Sequence, residues 1–216
     1  KRIELSILNN QLNPINSELE SLNERAAARY FIPIVYAVQY CHLRGVIHRD
    51  IKLENVLITH DHQVKLCDFG LSTDKLKSDE FVGTLTCLAP EVLKINFNLT
   101  SKRYYDEKVD IWALGIILHE LLYGYNPFEP ENKRDFKEKE DQHKQIANNI
   151  LYNKLDFSNN KELSPDLKDL LTNLLEKDPQ KRFGFFELIE HPWINQSHPY
   201  VTPPTQKKRR NSTIFS

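Results

Sequence analysis

Four polar residues stand close enough in the chain to handle a phosphate and a hydroxyl together. Asp50, Lys52 and Asn55 fall within His48-Arg49-Asp50-Ile51-Lys52-Leu53-Glu54-Asn55, and Asp68 follows thirteen residues after Asn55 in Asp68-Phe69-Gly70. A carboxylate at 50 can accept a hydroxyl proton, and an ammonium at 52 can neutralise a transferring phosphate. The side-chain oxygens of Asn55 and Asp68 can hold Mg²⁺. Either tripeptide, His-Arg-Asp or Asp-Phe-Gly, arises by chance in many proteins. The two in this order, with a Lys and an Asn at these offsets, seldom do.

The surrounding pattern predicts how such residues would be positioned. Apolar residues recur at helical spacing from Leu22 to Leu43, with Glu24 to Arg29 as strong helix formers at the start and Gly45 as the stop. Val46-Ile47, Val56-Leu57-Ile58 and Val64-Lys65-Leu66 read as short strands, which sets the chemical loop between strands. His60 and His62 could be two metal ligands, but with no third ligand nearby they read better as a hairpin turn. From Val109 to Tyr123 the chain is apolar on every side, as in a helix buried at the centre of a domain. Leu163 to Glu176 predicts an amphipathic helix opened by Ser164-Pro165.

Further landmarks follow in order: Gly83-Thr84, Ala89-Pro90-Glu91, Asp110-Ile111-Trp112-Ala113-Leu114-Gly115, and Arg182 before His191-Pro192-Trp193-Ile194. Together with the two loops, they resemble the eukaryotic protein kinases over most of the chain. Lys52 resembles the serine/threonine branch. Asp106-Glu107-Lys108-Val109-Asp110 and Glu190 to Ile194 look most like the Aurora and calcium/calmodulin-dependent groups. The resemblance implies a mainly α fold, the large lobe of a protein kinase with short β-hairpins near the catalytic loop, over residues 1–198. Residues 199–216 read as a basic tail without fixed structure. The six glycines, at 45, 70, 83, 115, 124 and 184, allow no Gly-rich phosphate loop. The expectation is therefore that the small lobe is absent from this chain, which opens near the end of the hinge, with Glu4 as a ribose or substrate contact. The lack of methionine points the same way.

What the resemblance implies about individual residues can be stated in full. Asp50 orients and deprotonates the acceptor hydroxyl, Lys52 stabilises the transferring group, and Asn55 and Asp68 position Mg²⁺ on ATP. Leu57 forms the floor beneath adenine. Cys67 either faces the nucleotide or merely packs, and Lys65 is solvated. His48 and Phe69 stack structurally, Glu91 and Arg182 form a long-range ion pair, and Asp110 receives backbone N–H groups of the catalytic loop. In the activation segment, from Asp68 to Glu91, Glu80 stands where a phosphorylated residue is common. Arg49 is free to meet an anion, and Ser78 or Thr73 could supply further charge. Cys87 replaces a usual aromatic. Thr84, Val82, Leu85 and Leu88 lie on the substrate side, the last three as an apolar pocket. Glu54 and Glu120 occupy positions that would bind arginines before the acceptor.

Composition limits the wider reading. A net charge of −1 over 216 residues argues against nucleic acid or membrane as the main partner. The expected partners are proteins with basic residues near Ser or Thr. Three irregularly spaced cysteines and no long apolar run fit a cytoplasmic or nuclear protein. Ile95–Tyr105 and the charged stretch Glu131–Asp141 look like additions to the plan, read as solvated loops or exposed helix ends with a docking surface as the alternative. In the tail, Arg209-Arg210 before Ser212 and Thr213 reads as an import-like cluster or solvated tail, with a basic-directed phosphorylation site or autoinhibitor as the alternative. The expected function is phosphate transfer from ATP to Ser/Thr of proteins once a small lobe completes the chain, which alone is inactive. The alternative is a kinase-like scaffold without catalysis.

Overall fold

A computed structural model of the chain describes residues 21–59, 63–130, 138–157 and 162–197. Within them, helix α1 spans Glu24–His42, α2 Pro90–Asn96, α3 Lys108–Tyr123, α4 Lys139–Tyr152, α5 Pro165–Leu174, α6 Phe185–Glu190 and α7 Pro192–Ser197. Strands β1 (Val56–Ile58) and β2 (Val64–Leu66) pair antiparallel, with Val56 opposite Leu66, Leu57 opposite Lys65 and Ile58 opposite Val64. Single 3₁₀ turns occupy Leu53–Asn55 and Leu85–Cys87. The described residues are thus mostly helical with one small sheet.

Helix α3 is the axle. Thirteen of its sixteen residues are buried, so it has no solvent face to present. Ile111, Leu114, Ile117, Leu118 and Leu121 pack into a core shared with α1, α5 and α7. Trp112 and Ile116 turn the other way, into a second core with α2, α4 and Phe128. Truncating Leu118 to Ala would cost about 2–5 kcal/mol, because both sides are already filled. Gly115 is required by this packing, since a Cβ there would lie 2.8 Å from the Leu175 side chain.

Local sequence explains the helix starts. Asn23 caps α1 by accepting the Ala26 N–H at 2.9 Å. Ser164 caps α5 through the Leu167 N–H, with Pro165 in the first turn. Glu24 then ties three helix starts together: its carboxylate accepts the Ser164 N–H at 2.6 Å, the Ser164 hydroxyl at 2.8 Å and the Trp193 indole N–H at 3.0 Å. Nothing in the helical periodicity signals this tie, because Glu24 also reads as a favourable first-turn acid.

Two expectations need correction. Val46-Ile47 is not a strand but a single bridge, Ile47 to Thr73, because its partner segment turns away after one pair. The described end of the charged stretch 131–141 is an exposed helix end, as expected, since Glu140 and Asp141 lie in the first turn of α4; residues 131–137 lie outside the described residues. Ile95–Tyr105 is docked at its end, where Tyr105 and Ser78 exchange both backbone hydrogen bonds at 2.9 Å. Glu4, His60, His62 and the tail with Ser212 and Thr213 lie outside the described residues. No helix among the described residues is long and apolar enough to cross a membrane.

Candidate active site

The loop from His48 to Asn55 is suspended from the start of α3. Asp110, buried in the first turn of that helix, accepts the backbone N–H of His48 at 2.8 Å and of Arg49 at 2.9 Å. The oxygen that accepts the His48 N–H also meets His42 Nε2 at 2.7 Å, from the last turn of α1. His42 is a support that the sequence reading missed. Its only signal was a histidine at a helix end, where imidazole commonly caps carbonyls instead. The two N–H bonds help hold Arg49 at φ 67°, a left-handed conformation costing a non-glycine residue about 1–2 kcal/mol.

Asp50 emerges from this loop surrounded by donors. One carboxylate oxygen accepts the Thr84 N–H at 3.1 Å and the Thr84 hydroxyl at 2.8 Å. The other meets the Lys52 ammonium at 2.9 Å and the Asn55 amide at 3.0 Å. Burial by itself would raise the Asp50 carboxyl, but the Lys52, Thr84 and Asn55 hydrogen bonds and the Lys52 charge together hold it below the usual carboxylate range. Lys52 also donates to the Thr84 hydroxyl at 2.6 Å, closing a triangle of three side chains. Gly83 makes this approach possible: at φ 110° its missing Cβ would sit 2.7 Å from the Arg49 carbonyl oxygen.

Asn55 donates to the Asp50 backbone carbonyl at 2.8 Å as well, so its amide nitrogen is committed and Oδ1 is the atom left for a cation. Asp68 is exposed after β2 at φ 65°, and among the described residues its carboxylate accepts the Gly70 N–H alone, at 3.3 Å. The hairpin joins these two, with the Cys67 N–H donating to the Asn55 carbonyl at 2.9 Å. Cys67 Sγ donates to the same carbonyl at 3.2 Å, and Leu57 is half-buried in β1. Among the described residues no three His, Cys, Asp or Glu side chains gather into an all-protein metal cage. Mg²⁺ bound to phosphates needs only one or two protein oxygens, and Asn55 and Asp68 fit that requirement.

His48 is fully buried, and its ring lies 4.7 Å from that of Phe69. Its Nδ1 accepts the Asp50 N–H at 3.3 Å, which leaves Nε2 to donate to the Cys67 carbonyl at 3.2 Å. Arg49 sends its side chain to the activation segment. It donates to the Leu71 carbonyl at 2.6 Å, to the Ser78 hydroxyl at 2.9 Å and to the Glu80 carboxylate. The Tyr105 hydroxyl donates to the Glu80 carbonyl at 2.7 Å. Tyr105 was not foreseen, because it lies in what reads as an added loop. Ser78 is buried, and its hydroxyl oxygen accepts both from Arg49 and from the Glu80 N–H at 3.3 Å, a structural role in this conformation.

On the substrate side the residues separate. Val82 and Leu88 line a cavity of only about 20 Å³, room for a water rather than a side chain. Leu85 packs against the second core and does not line it. Glu54 is exposed and Glu120 largely enclosed, yet the charge of Glu54 reaches Glu120. The Glu120 carboxyl is pushed up to about 7, first by burial and then by Glu54 and Glu129, against the single Asn126 amide at 3.1 Å. Burial also pushes the Cys87 thiol well above its ordinary value, as do the charges of Glu120, Glu54 and Asp50.

A longer-range frame fixes the segment carrying Thr84. Arg182 grips Glu91 with two bonds of 2.8 and 2.9 Å, both side chains buried. Its remaining donors reach the Glu176 and Lys108 carbonyls at 2.8 Å, and its guanidinium lies 5.1 Å over the Trp112 ring.

The protein kinase domain model matches residues 4–194. An Aurora kinase of Dictyostelium discoideum is 39% identical over 189 residues, covering 86% of this chain and 44% of that protein. CBL-interacting serine/threonine-protein kinase 14 of Arabidopsis thaliana is 39% identical over 184 residues, covering 81% and 37%. Calcium-dependent protein kinase 2 of Oryza sativa subsp. japonica is 38% identical over 181 residues, covering 80% and 32%. The chain thus spans less than half the length of these relatives. The match over 4–194, together with serine/threonine kinases among its relatives, places this chain in the eukaryotic protein kinase family, on its serine/threonine side.

Proposed function

We propose that residues 1–198 are the large lobe of a kinase that, joined to a small lobe, transfers the γ-phosphate of ATP to serine or threonine hydroxyls. The observation that carries this reading is the Asp50 carboxylate fixed by Lys52, Thr84 and Asn55, with Asp110 holding the loop from behind. Phosphoryl transfer needs positioning and charge stabilisation more than covalent help from the protein. Asp50, ionised and held below the usual range, is a weak base. It therefore acts chiefly by orienting the acceptor hydroxyl and takes the proton late. Lys52, 2.9 Å from that carboxylate, places its positive charge where the transferring phosphate would gather negative charge.

Asn55 and Asp68 would hold Mg²⁺, which when bound neutralises charge on the nucleotide phosphates. Leu57 supplies an apolar surface for adenine, and Glu4 is assigned to the ribose or substrate. Glu54 and Glu120 form an acidic pair that favours substrates with arginine before the acceptor, and Thr84, bonded to Asp50, stands beside the acceptor hydroxyl. Arg49 with Glu80 and Ser78 steadies the activation segment, and a single carboxylate charge stands where a phosphate would carry about 1.5–2. The substrates are proteins, and the three irregularly spaced cysteines support a cytoplasmic or nuclear location. A scaffold reading draws on one observation, that no Gly-rich loop can be written within the 216 residues.

Transfer of radiolabelled phosphate to an Arg-containing serine peptide separates the two readings. The 216-residue chain alone should transfer little, because the groups that close over the phosphates are missing from it. Joined to the small lobe of a related serine/threonine kinase it should turn over, and Asp50→Asn should abolish this. Asp68→Asn should abolish Mg²⁺-dependent nucleotide binding too, which Asp50→Asn should spare. No transfer by the joined protein would favour the scaffold.

A further inference from the structure

Away from Asp50, a groove of about 630 Å³ opens between the activation segment, α2 and the turn at 178–180. Its walls carry Lys77, Lys94, Lys102 and Arg103. Lys77 directly precedes Ser78, whose backbone pairs with Tyr105, so one wall is the bridge that docks the 95–105 segment. Lys77, Lys102 and Arg103 are exposed and Lys94 is half-exposed on the last turn of α2. Among the described residues, none of the four is paired with a carboxylate.

The acids in the groove are already engaged. Glu91 gives both oxygens to Arg182. Asp106 accepts the Lys108 N–H at 3.1 Å, and Asp178 accepts the Gln180 N–H at 3.0 Å. With Glu91 neutralised, four cations face two acids, leaving a surplus of two positive charges. The excess is felt beside the groove: the Lys177 ammonium is pushed down to about 8, first by burial and next by the charge of Lys94.

We propose that this groove is a docking site for an acidic segment of a partner protein, its carboxylates spaced to meet Lys77, Lys94, Lys102 and Arg103. Asp106 and Asp178 among the cations disfavour a continuous polyanion such as nucleic acid or a membrane surface, since evenly spread phosphates would meet them. Discrete acidic side chains can step between them. Tyr104, 57% exposed on the same wall, offers an aromatic surface beside the charges. The occupant would rest against Lys77 and Tyr105, beside the Ser78–Tyr105 bridge that holds the activation segment. This proposal concerns binding alone and does not depend on phosphate transfer.

The test is fluorescence anisotropy of the 216-residue chain with a labelled Asp-Glu-Glu-Tyr-Asp-Glu-Asp peptide and with its Asn/Gln counterpart. The acidic peptide should bind, the neutral one should not, and binding should weaken as NaCl rises to about 0.5 M. Lys94→Glu with Arg103→Glu should weaken binding by at least about tenfold, while Lys139→Glu with Lys154→Glu, outside the groove, should leave it unchanged. Should the first pair impair folding, judged by melting, Lys94→Gln with Arg103→Gln should give the same direction of loss. Equal binding by groove variants and parent would overturn the proposal. So would no binding of the acidic peptide at low salt, or tighter binding of a single-stranded oligonucleotide or phosphatidylserine vesicles.

Discussion

Asp50 and Glu120 are both largely withdrawn from water, yet their carboxyls are driven in opposite directions. Around Asp50 an ammonium, a hydroxyl, a backbone N–H and an amide all donate, and the charged form wins despite burial. Around Glu120 there is one amide, and the charges nearby are those of Glu54 and Glu129, so burial wins and the carboxyl rises to about 7. Burial therefore does not decide the ionisation of an acid in this fold. The count of donors against neighbouring carboxylates does. One centre is poised to hold a hydroxyl at all working pH values, and the other is half-charged near neutrality until a cation arrives.

The sharpest way to break this comparison is to neutralise each acid in the protein joined to a small lobe. Asp50→Asn should lower kcat by about 10²–10⁴-fold, since its contact is made to the reacting hydroxyl. Glu120→Gln should leave kcat near its parent value and raise KM for an Arg-containing peptide by about tenfold, as lost binding energy of about 1.4 kcal/mol. If Glu120→Gln instead lowered kcat as far as Asp50→Asn, the division of labour would be wrong.

Both centres depend on the segment Thr84–Cys87, which gives Thr84 to Asp50 and the Thr86 carbonyl to Asn126. That segment runs into α2, anchored by Glu91 and Arg182. Glu91→Ala should cost about 3–5 kcal/mol in urea unfolding of the 216-residue chain, because the buried guanidinium loses its counter-charge. A loss no larger than that of an exposed substitution would mean the two centres do not share this frame.

A smaller effect sharpens the comparison through pH. The folded Glu120 carboxyl is raised above its unfolded value of 4.5, so between about 4.5 and about 7 the folded chain binds the extra proton. Glu120 thus contributes stability at low pH that is lost as pH rises through about 7, and Glu120→Gln should flatten that slope. In the joined protein, KM for the Arg-containing peptide should fall as pH rises through the same range. Asp50 has the reverse sign: its contribution is present above the usual carboxylate value and is lost as pH falls through its lower folded value.

The chemistry was more legible in the sequence than the supports that hold it. Asp50, Lys52 and Asn55 sit on one short loop, where spacing along the chain nearly fixes spacing in space, and Gly83-Thr84 carries the next partner in. The role of Asp110 was legible only through the resemblance to protein kinases, and the ends of α1 and α3 from apolar spacing and density. The ties made by His42, Glu24 and Tyr105 join residues far apart in sequence, through side chains whose types have common local explanations. Helix α4 was missed altogether because its first turn is charged and its buried stripe, Ile146, Ala147, Ile150 and Leu151, appears only in its second half. The pocket expected from Val82, Leu85 and Leu88 depends on which way three neighbouring apolar side chains turn, which the pattern of a loop does not encode.

The most direct test is a ¹³C NMR titration of the Asp50 and Glu120 carboxyls in the 216-residue chain, assigned with Asp50→Asn and Glu120→Gln. Asp50 should titrate below the usual aspartate range and Glu120 near about 7. Both carboxyls titrating together at ordinary values would contradict the account.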